Sequence, residues 1–125
     1  MSVDGEINKT TETIIGCAYR VSNELGIGFL EKVYENALVC ELRHANLDVI
    51  QQHPIKVLYR KQVVGEYVAD LLVEKQVVVE LKAISALDST HFAQCMNYLK
   101  ATASQIGLLI NFGTPRIEIR RVINT

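Results

Sequence analysis

Apolar residues recur at helical spacing near the start of the chain, at Ile7, Ile14, Ile15, Ala18, Val21 and Leu25. The spacing predicts a helix from Ile7 to Leu25, with Gly26 as its natural stop. Gly26-Ile27-Gly28 reads as a tight break. A second helix is expected from Leu30 to Ala45, with Leu30, Val33, Tyr34, Ala37, Leu38, Leu42 and Ala45 on its apolar face. The pattern changes after Asn46. Three β-branched runs follow, Val49 to Tyr59, Val63 to Glu74 and Val77 to Ala83. Pro54 makes the first of them an edge strand or a bulged one. Leu87 to Ala103 is helical again, with Phe92, Cys95, Met96 and Leu99 on one face and Ser85 or Asp88 as its cap. Ile106 to Phe112 reads as a buried strand and Ile117 to Ile123 as a shorter last one. The order α, α, β, β, β, α, β, β predicts an α/β class, specifically an α+β arrangement in which helices pack on a mixed sheet.

At 125 residues the chain has room for one domain, taken as 1–125, and for a core that needs no disulfide or structural metal. Its 49% hydrophobic and 22% charged content excludes a low-complexity chain. No apolar run approaches a bilayer span, and the polar, acidic Met1 to Glu6 lacks the form of a signal peptide. The expectation is a cytoplasmic protein with no membrane partner. Thirteen basic against fourteen acidic residues give a net charge of −1, so any nucleic-acid contact has to rest on a local site. Cys17, Cys40 and Cys95 are widely spaced and odd in number, which predicts buried free thiols rather than a metal cluster.

Four charged residues stand where the pattern does not explain them. Asp70 interrupts the apolar run Val68 to Val73, and Glu80 and Lys82 interrupt Val77 to Ala83. Glu31 opens the second helix, inside the arc that holds Leu38 and Leu42. Glu80 and Lys82, two apart on a strand, share a face. Taken alone, Glu-x-Lys on a strand is one solvated face of a half-exposed sheet. The register of the hairpin decides whether Asp70 joins the pair. A two-residue turn at Lys75-Gln76 would set Asp70 against Leu81, whereas a three-residue turn at Glu74-Lys75-Gln76 sets it against Glu80. Directly opposed residues have Cβ atoms about 5 Å apart, and two carboxylates at that distance repel unless a cation or a proton intervenes. Mg²⁺ favours such oxygens, and a nearby lysine can orient water or offset phosphoryl charge. The three-residue turn is therefore the expectation. Elsewhere, Glu35 and Glu41 share the second helix. Glu41, near the middle of its apolar face, is read as a structural carboxylate that needs a partner such as an arginine. His44 and His53 are read as surface or loop-end residues, and Asn111 as a turn residue.

Asp70 followed by Glu80-Leu81-Lys82 resembles the D…(D/E)xK core of the PD-(D/E)XK nuclease superfamily, with Ala69 where that pattern has proline. Gly28 to Tyr34 resembles the GxxExxY motif of a small prokaryotic family assigned to that superfamily. Gln94 to Tyr98 resembles the QxxxY motif of its RecB-like members, and the wheel turns Gln94, Tyr98 and His91 away from the apolar stripe. The resemblance implies a restriction-endonuclease-like α-β-β-β-α-β core, here with an extra N-terminal helix and a C-terminal strand. It implies that Glu31, Asp70, Glu80 and the Leu81 carbonyl bind Mg²⁺ or Mn²⁺. It assigns Lys82 to the attacking water or the scissile phosphate, and Gln94, Tyr98 and His91 to positioning the site or the nucleic-acid backbone.

The expected function is thus a metal-dependent nuclease that hydrolyses phosphodiester bonds in DNA. The chain is small, so a homodimer or a partner protein would help to form the cleft. The alternatives are a non-catalytic module of the same fold that binds nucleic acid or protein, and an assembly or toxin–antitoxin-like accessory protein.

Overall fold

The computed structural model describes residues 5–125. Helix α1 spans Gly5–Leu25 and α2 spans Glu31–His44. Strands β1 (Val49–Tyr59), β2 (Gln62–Val73) and β3 (Val77–Lys82) follow, then α3 (Ser89–Thr102), β4 (Ile106–Asn111) and β5 (Glu118–Ile123). The order is the one the hydrophobic pattern predicts. The strands form one mixed sheet in chain order, antiparallel except for the β3–β4 pair, which the α3 crossover makes parallel.

The sheet is covered on both faces. Leu71, Val73, Val77, Val79 and Leu81 pack with Leu108 and Ile110 against Ile14, Ala18, Leu38 and Leu42 of the first two helices. Leu72, Val78 and Val122 pack on the other face against Cys95, Tyr98 and Leu99 of α3. Strand β4 is therefore apolar up to its last residue, Asn111, and buried at every position. The β1–β2 hairpin is much longer than β3, so its outer part projects past the sheet as an arm. Leu58, Tyr59, Val63 and Val64 near its tip are exposed. Strand β1 is the edge strand that Pro54 requires.

Several side chains depart from expectation. On α2, Leu30 and Val33 are exposed, while Glu35 and Val39 are buried. The helix is rotated from the wheel reading because Glu35 has polar partners on β1. On α3, Phe92 faces solvent and Tyr98 is buried, since the arm reaches over the polar flank of that helix. Cys17 and Cys95 are buried free thiols, and Cys40 is exposed. Glu41 is half-exposed, with Arg20 4.0 Å away. Among the described residues no helix is long and apolar enough to cross a membrane.

The break before α2 is built from glycine and one tyrosine. Gly26 and Gly28 have φ of 67° and 108°, a region that L side chains avoid. The Tyr34 hydroxyl donates to the Gly26 carbonyl at 2.6 Å and accepts from the Phe29 N–H at 3.2 Å. Its ring stacks on Phe112, just past β4, with centroids 4.9 Å apart. Phe112 N–H in turn donates to the Lys82 carbonyl at 2.8 Å. The start of α2, and Glu31 with it, is thereby tied to the end of β3.

Candidate functional site

The β2–β3 turn has the odd length expected: Val73 pairs with Val77, Leu72 with Val78 and Leu71 with Val79. The next position in that register sets Asp70 against Glu80, and there side chains take over from the backbone ladder. Asp70 N–H donates to Glu80 Oε2 at 2.7 Å, and Leu81 N–H donates to Asp70 Oδ2 at 2.8 Å. Strand β1 is irregular at the same level. Its pairing skips Gln52, which has φ of 57° and would fall opposite Asp70. Ala69 and Leu72, three apart, pack in the same cluster, so the alternation of β2 slips by one at Asp70. The strands part here, and two carboxylates fill the gap.

The electrostatics follow from that placement. Glu80 is 5% exposed, and burial together with the Asp70 charge pushes its carboxyl up to about 8. Burial raises Asp70 as well, against the Leu81 N–H bond, which favours the anion. Half-buried Lys82 favours the ionised form of Asp70, Glu80 and Glu31. Glu31, the first residue of α2, stays exposed. Partial desolvation raises its carboxyl, and the Asp70 charge adds to that.

Gln94 Nε2 donates to the Tyr98 hydroxyl at 3.2 Å. Burial, then the Glu80 and Asp70 charges, raise the Tyr98 phenol, so this pair lies on the α3 side of the carboxylates. Its ring lies 5.6 Å from that of Tyr67 on β2. His91 instead closes the capping box of α3, its Nδ1 accepting from Asp88 N–H at 3.1 Å. The Leu81 side chain belongs to the core, and its N–H is taken by Asp70.

Two parts of the surroundings escaped the sequence reading. Glu35, 2% exposed, accepts from Lys32 Nζ at 3.0 Å, Gln51 Nε2 at 2.6 Å and Gln52 Nε2 at 3.0 Å. Burial alone would raise its carboxyl, but these three donors outweigh it and hold the group below the usual range. Its charge is felt by Asp70. The available signal was Glu35 standing one turn after Glu31, with a Gln-Gln pair interrupting β1. The second part is Asn111, a fully buried strand residue rather than a turn residue. It holds Ile84 N–H and C=O, Gly113 N–H and Glu118 at 2.9–3.0 Å, and so fixes the chain just after Lys82.

Among the described residues no three His, Cys, Asp or Glu side chains converge to hold a metal. The chemistry of the donor set fits a hard cation only in part. Asp70 and Glu80 are adjacent oxygen donors whose mutual repulsion a cation would relieve. A third carboxylate, Glu31, senses Asp70 without completing the set.

A sequence model described as the PD-(D/E)XK nuclease superfamily matches residues 8–122. No curated protein matches the sequence. Among solved structures, "Crystal structure of SSO0001" superposes with a TM-score of 0.59 at 18% identity. The superposition covers 94% of this chain and 59% of that one, so this chain spans well under two thirds of its length. At that identity the likeness is one of fold.

Proposed function

The chain belongs to the PD-(D/E)XK nuclease superfamily, and from that premise we propose that it is a divalent-metal-dependent nuclease hydrolysing phosphodiester bonds in DNA. The observation that carries this reading is the reciprocal Asp70–Glu80 contact, with Lys82 two residues beyond Glu80 on the same strand. Members of the superfamily generally use divalent metals. Here Asp70, Glu80, Glu31 and the Leu81 carbonyl are the residues that would hold Mg²⁺ or Mn²⁺. When bound, such an ion lowers the pKa of coordinated water and offsets charge on the phosphate. The protein's own groups do the rest. The Lys82 ammonium donates to the scissile phosphate or orients the attacking water. Gln94 and Tyr98 border the carboxylates and hold the nucleic-acid backbone, with His91 fixing the start of their helix. The Gly28-x-x-Glu31-x-x-Tyr34 string supports membership of the GxxExxY group, Tyr34 tying Glu31 to the end of β3. Gln94-x-x-x-Tyr98 supports a RecB-like affinity.

The lack of a third converging ligand among the described residues favours one second reading, a non-catalytic module of the same fold that binds nucleic acid or a protein partner. Cleavage of plasmid and linear single-stranded DNA with Mg²⁺, Mn²⁺ or EDTA separates the two, with wild type and Glu80→Ala side by side. Metal-dependent cutting that is lost in the variant is the expected result. No cutting by wild type, together with no stabilisation by either metal, overturns the nuclease reading in favour of the module.

A further inference from the structure

A groove of about 940 Å³ runs between the β1–β2 arm and α3. Tyr98 and Gln94, the pair that borders the carboxylates, are part of its lining. Through that pair the groove adjoins the site described above, although Asp70, Glu80 and Lys82 are not part of its lining. Its lining carries charge of one sign. Lys56 on β1 and Lys100 on α3 contribute to it, and no acidic residue does. Among the described residues neither lysine forms an ion pair. In a chain of net charge −1, these are two local cations beside an acidic centre, with Glu66 paired across from Lys56 on the arm.

The rest of the lining sets the polar side chains of Thr90, Gln94 and Asn97 on α3 beside apolar and aromatic ones. Tyr67 is half-exposed beside Tyr98, and Val64 and Leu58 of the arm leave apolar surface in the groove. A duplex hides the faces of its bases in the stack and presents phosphates and groove edges, so an exposed aromatic ring finds no base face to cover. An unpaired strand exposes base faces, which gain by covering aromatic and apolar surface while the phosphates meet cations. This lining has both features. Resting on the nuclease reading, we propose that the groove holds a single-stranded DNA segment next to the bond to be cut, with a base stacked on Tyr67 and phosphates on Lys56 and Lys100.

The test is fluorescence anisotropy in EDTA, so that binding is read without cutting. The probes are a labelled single-stranded oligodeoxynucleotide and a blunt duplex of the same sequence. The single strand is expected to bind about tenfold more tightly than the duplex, and Tyr67→Ala to weaken it about tenfold. Tyr67→Phe, which keeps the ring, should bind as wild type does. Replacing both Lys56 and Lys100 by Gln should lower the slope of log affinity against log salt by about 1.4. All three residues are exposed, so these variants are expected to fold, and circular dichroism checks this. Duplex binding as tight as single-strand binding overturns the proposal. So does single-strand affinity that ignores both Tyr67→Ala and the double lysine variant. The nuclease reading fails separately. A wild type that binds single strands through Tyr67 yet cuts nothing refutes that reading and supports the groove, whereas one that cuts duplex and ignores single strands refutes the groove alone.

Discussion

Glu80 and Glu35 are both buried carboxylates, and their surroundings drive them in opposite directions. Glu35 has three donors, so its ionised form belongs to the fold, and its share of stability is lost as pH falls below the usual glutamate range. Glu80 has Asp70 for a neighbour and a folded pKa of about 8 against an ordinary 4.5. Its neutral form is the favoured one, so its contribution is full below 4.5 and is lost as pH rises through about 8. Without metal, thermal stability should therefore fall between pH 5 and pH 8. Glu80→Gln keeps a carbonyl to accept the Asp70 N–H and removes the charge, so its melting temperature should fall much less over that window, by what the raised Asp70 and Glu31 carboxyls still contribute. Saturating Mg²⁺ should restore wild type at pH 8, by about 2.7 kcal/mol when the ion is at a hundred times its dissociation constant, and leave the variant unmoved. A wild-type profile as flat as the variant's would mean that Glu80 ionises freely. Glu35→Gln sets amide against amide and should cost roughly 1–3 kcal/mol in urea unfolding.

At the scale of elements, the register of the β2–β3 hairpin was legible because one physical demand chose between two turn lengths. Only the three-residue turn brings Asp70 and Glu80 together, and the pairing of Val73 with Val77 has that turn. The faces of α2 and α3 were less legible. Glu35 is buried because Gln51 and Gln52, distant in sequence, reach it from an irregular strand. Tyr98 is buried because the arm brings Tyr67 to it. A helical wheel holds no information about such non-local partners. Asn111 was misjudged for the same reason, since its main partner, Ile84, lies in the segment after β3. That clamp gives a sharp test. Asn111→Ala would leave part-buried Ile84 and Gly113 groups without these partners, at a cost of roughly 1–3 kcal/mol in urea unfolding. Gly113→Ala should be destabilising too, because a Cβ there would overlap the backbone of Ala83 and Ile84. A neutral result for both would show that the segment after Lys82 is held by something other than Asn111.

The whole molecule divides into a doubly covered centre and an arm with one covered side. Strand β4 is buried throughout, β3 nearly so, and both are paired on two edges. The outer half of the β1–β2 hairpin pairs only with itself and exposes Leu58, Tyr59, Val63 and Val64. Local opening follows burial and pairing. Amides of Val79 and Leu108 should exchange with solvent only when the whole chain unfolds, while those from Val57 to Gly65 should exchange orders of magnitude faster through openings of the arm alone. The arm forms one wall of the groove, so these openings would change its width while the Asp70–Glu80 level, nearer the centre, stays fixed. Hydrogen exchange read residue by residue checks this, with and without a single-stranded oligonucleotide. Protection gained in the arm and across Ala93 to Ala101, with no change in β4, is the expected footprint. Arm amides as slow as Leu108 in the free protein would mean that the groove is rigid, and that a strand entering it meets a preformed channel.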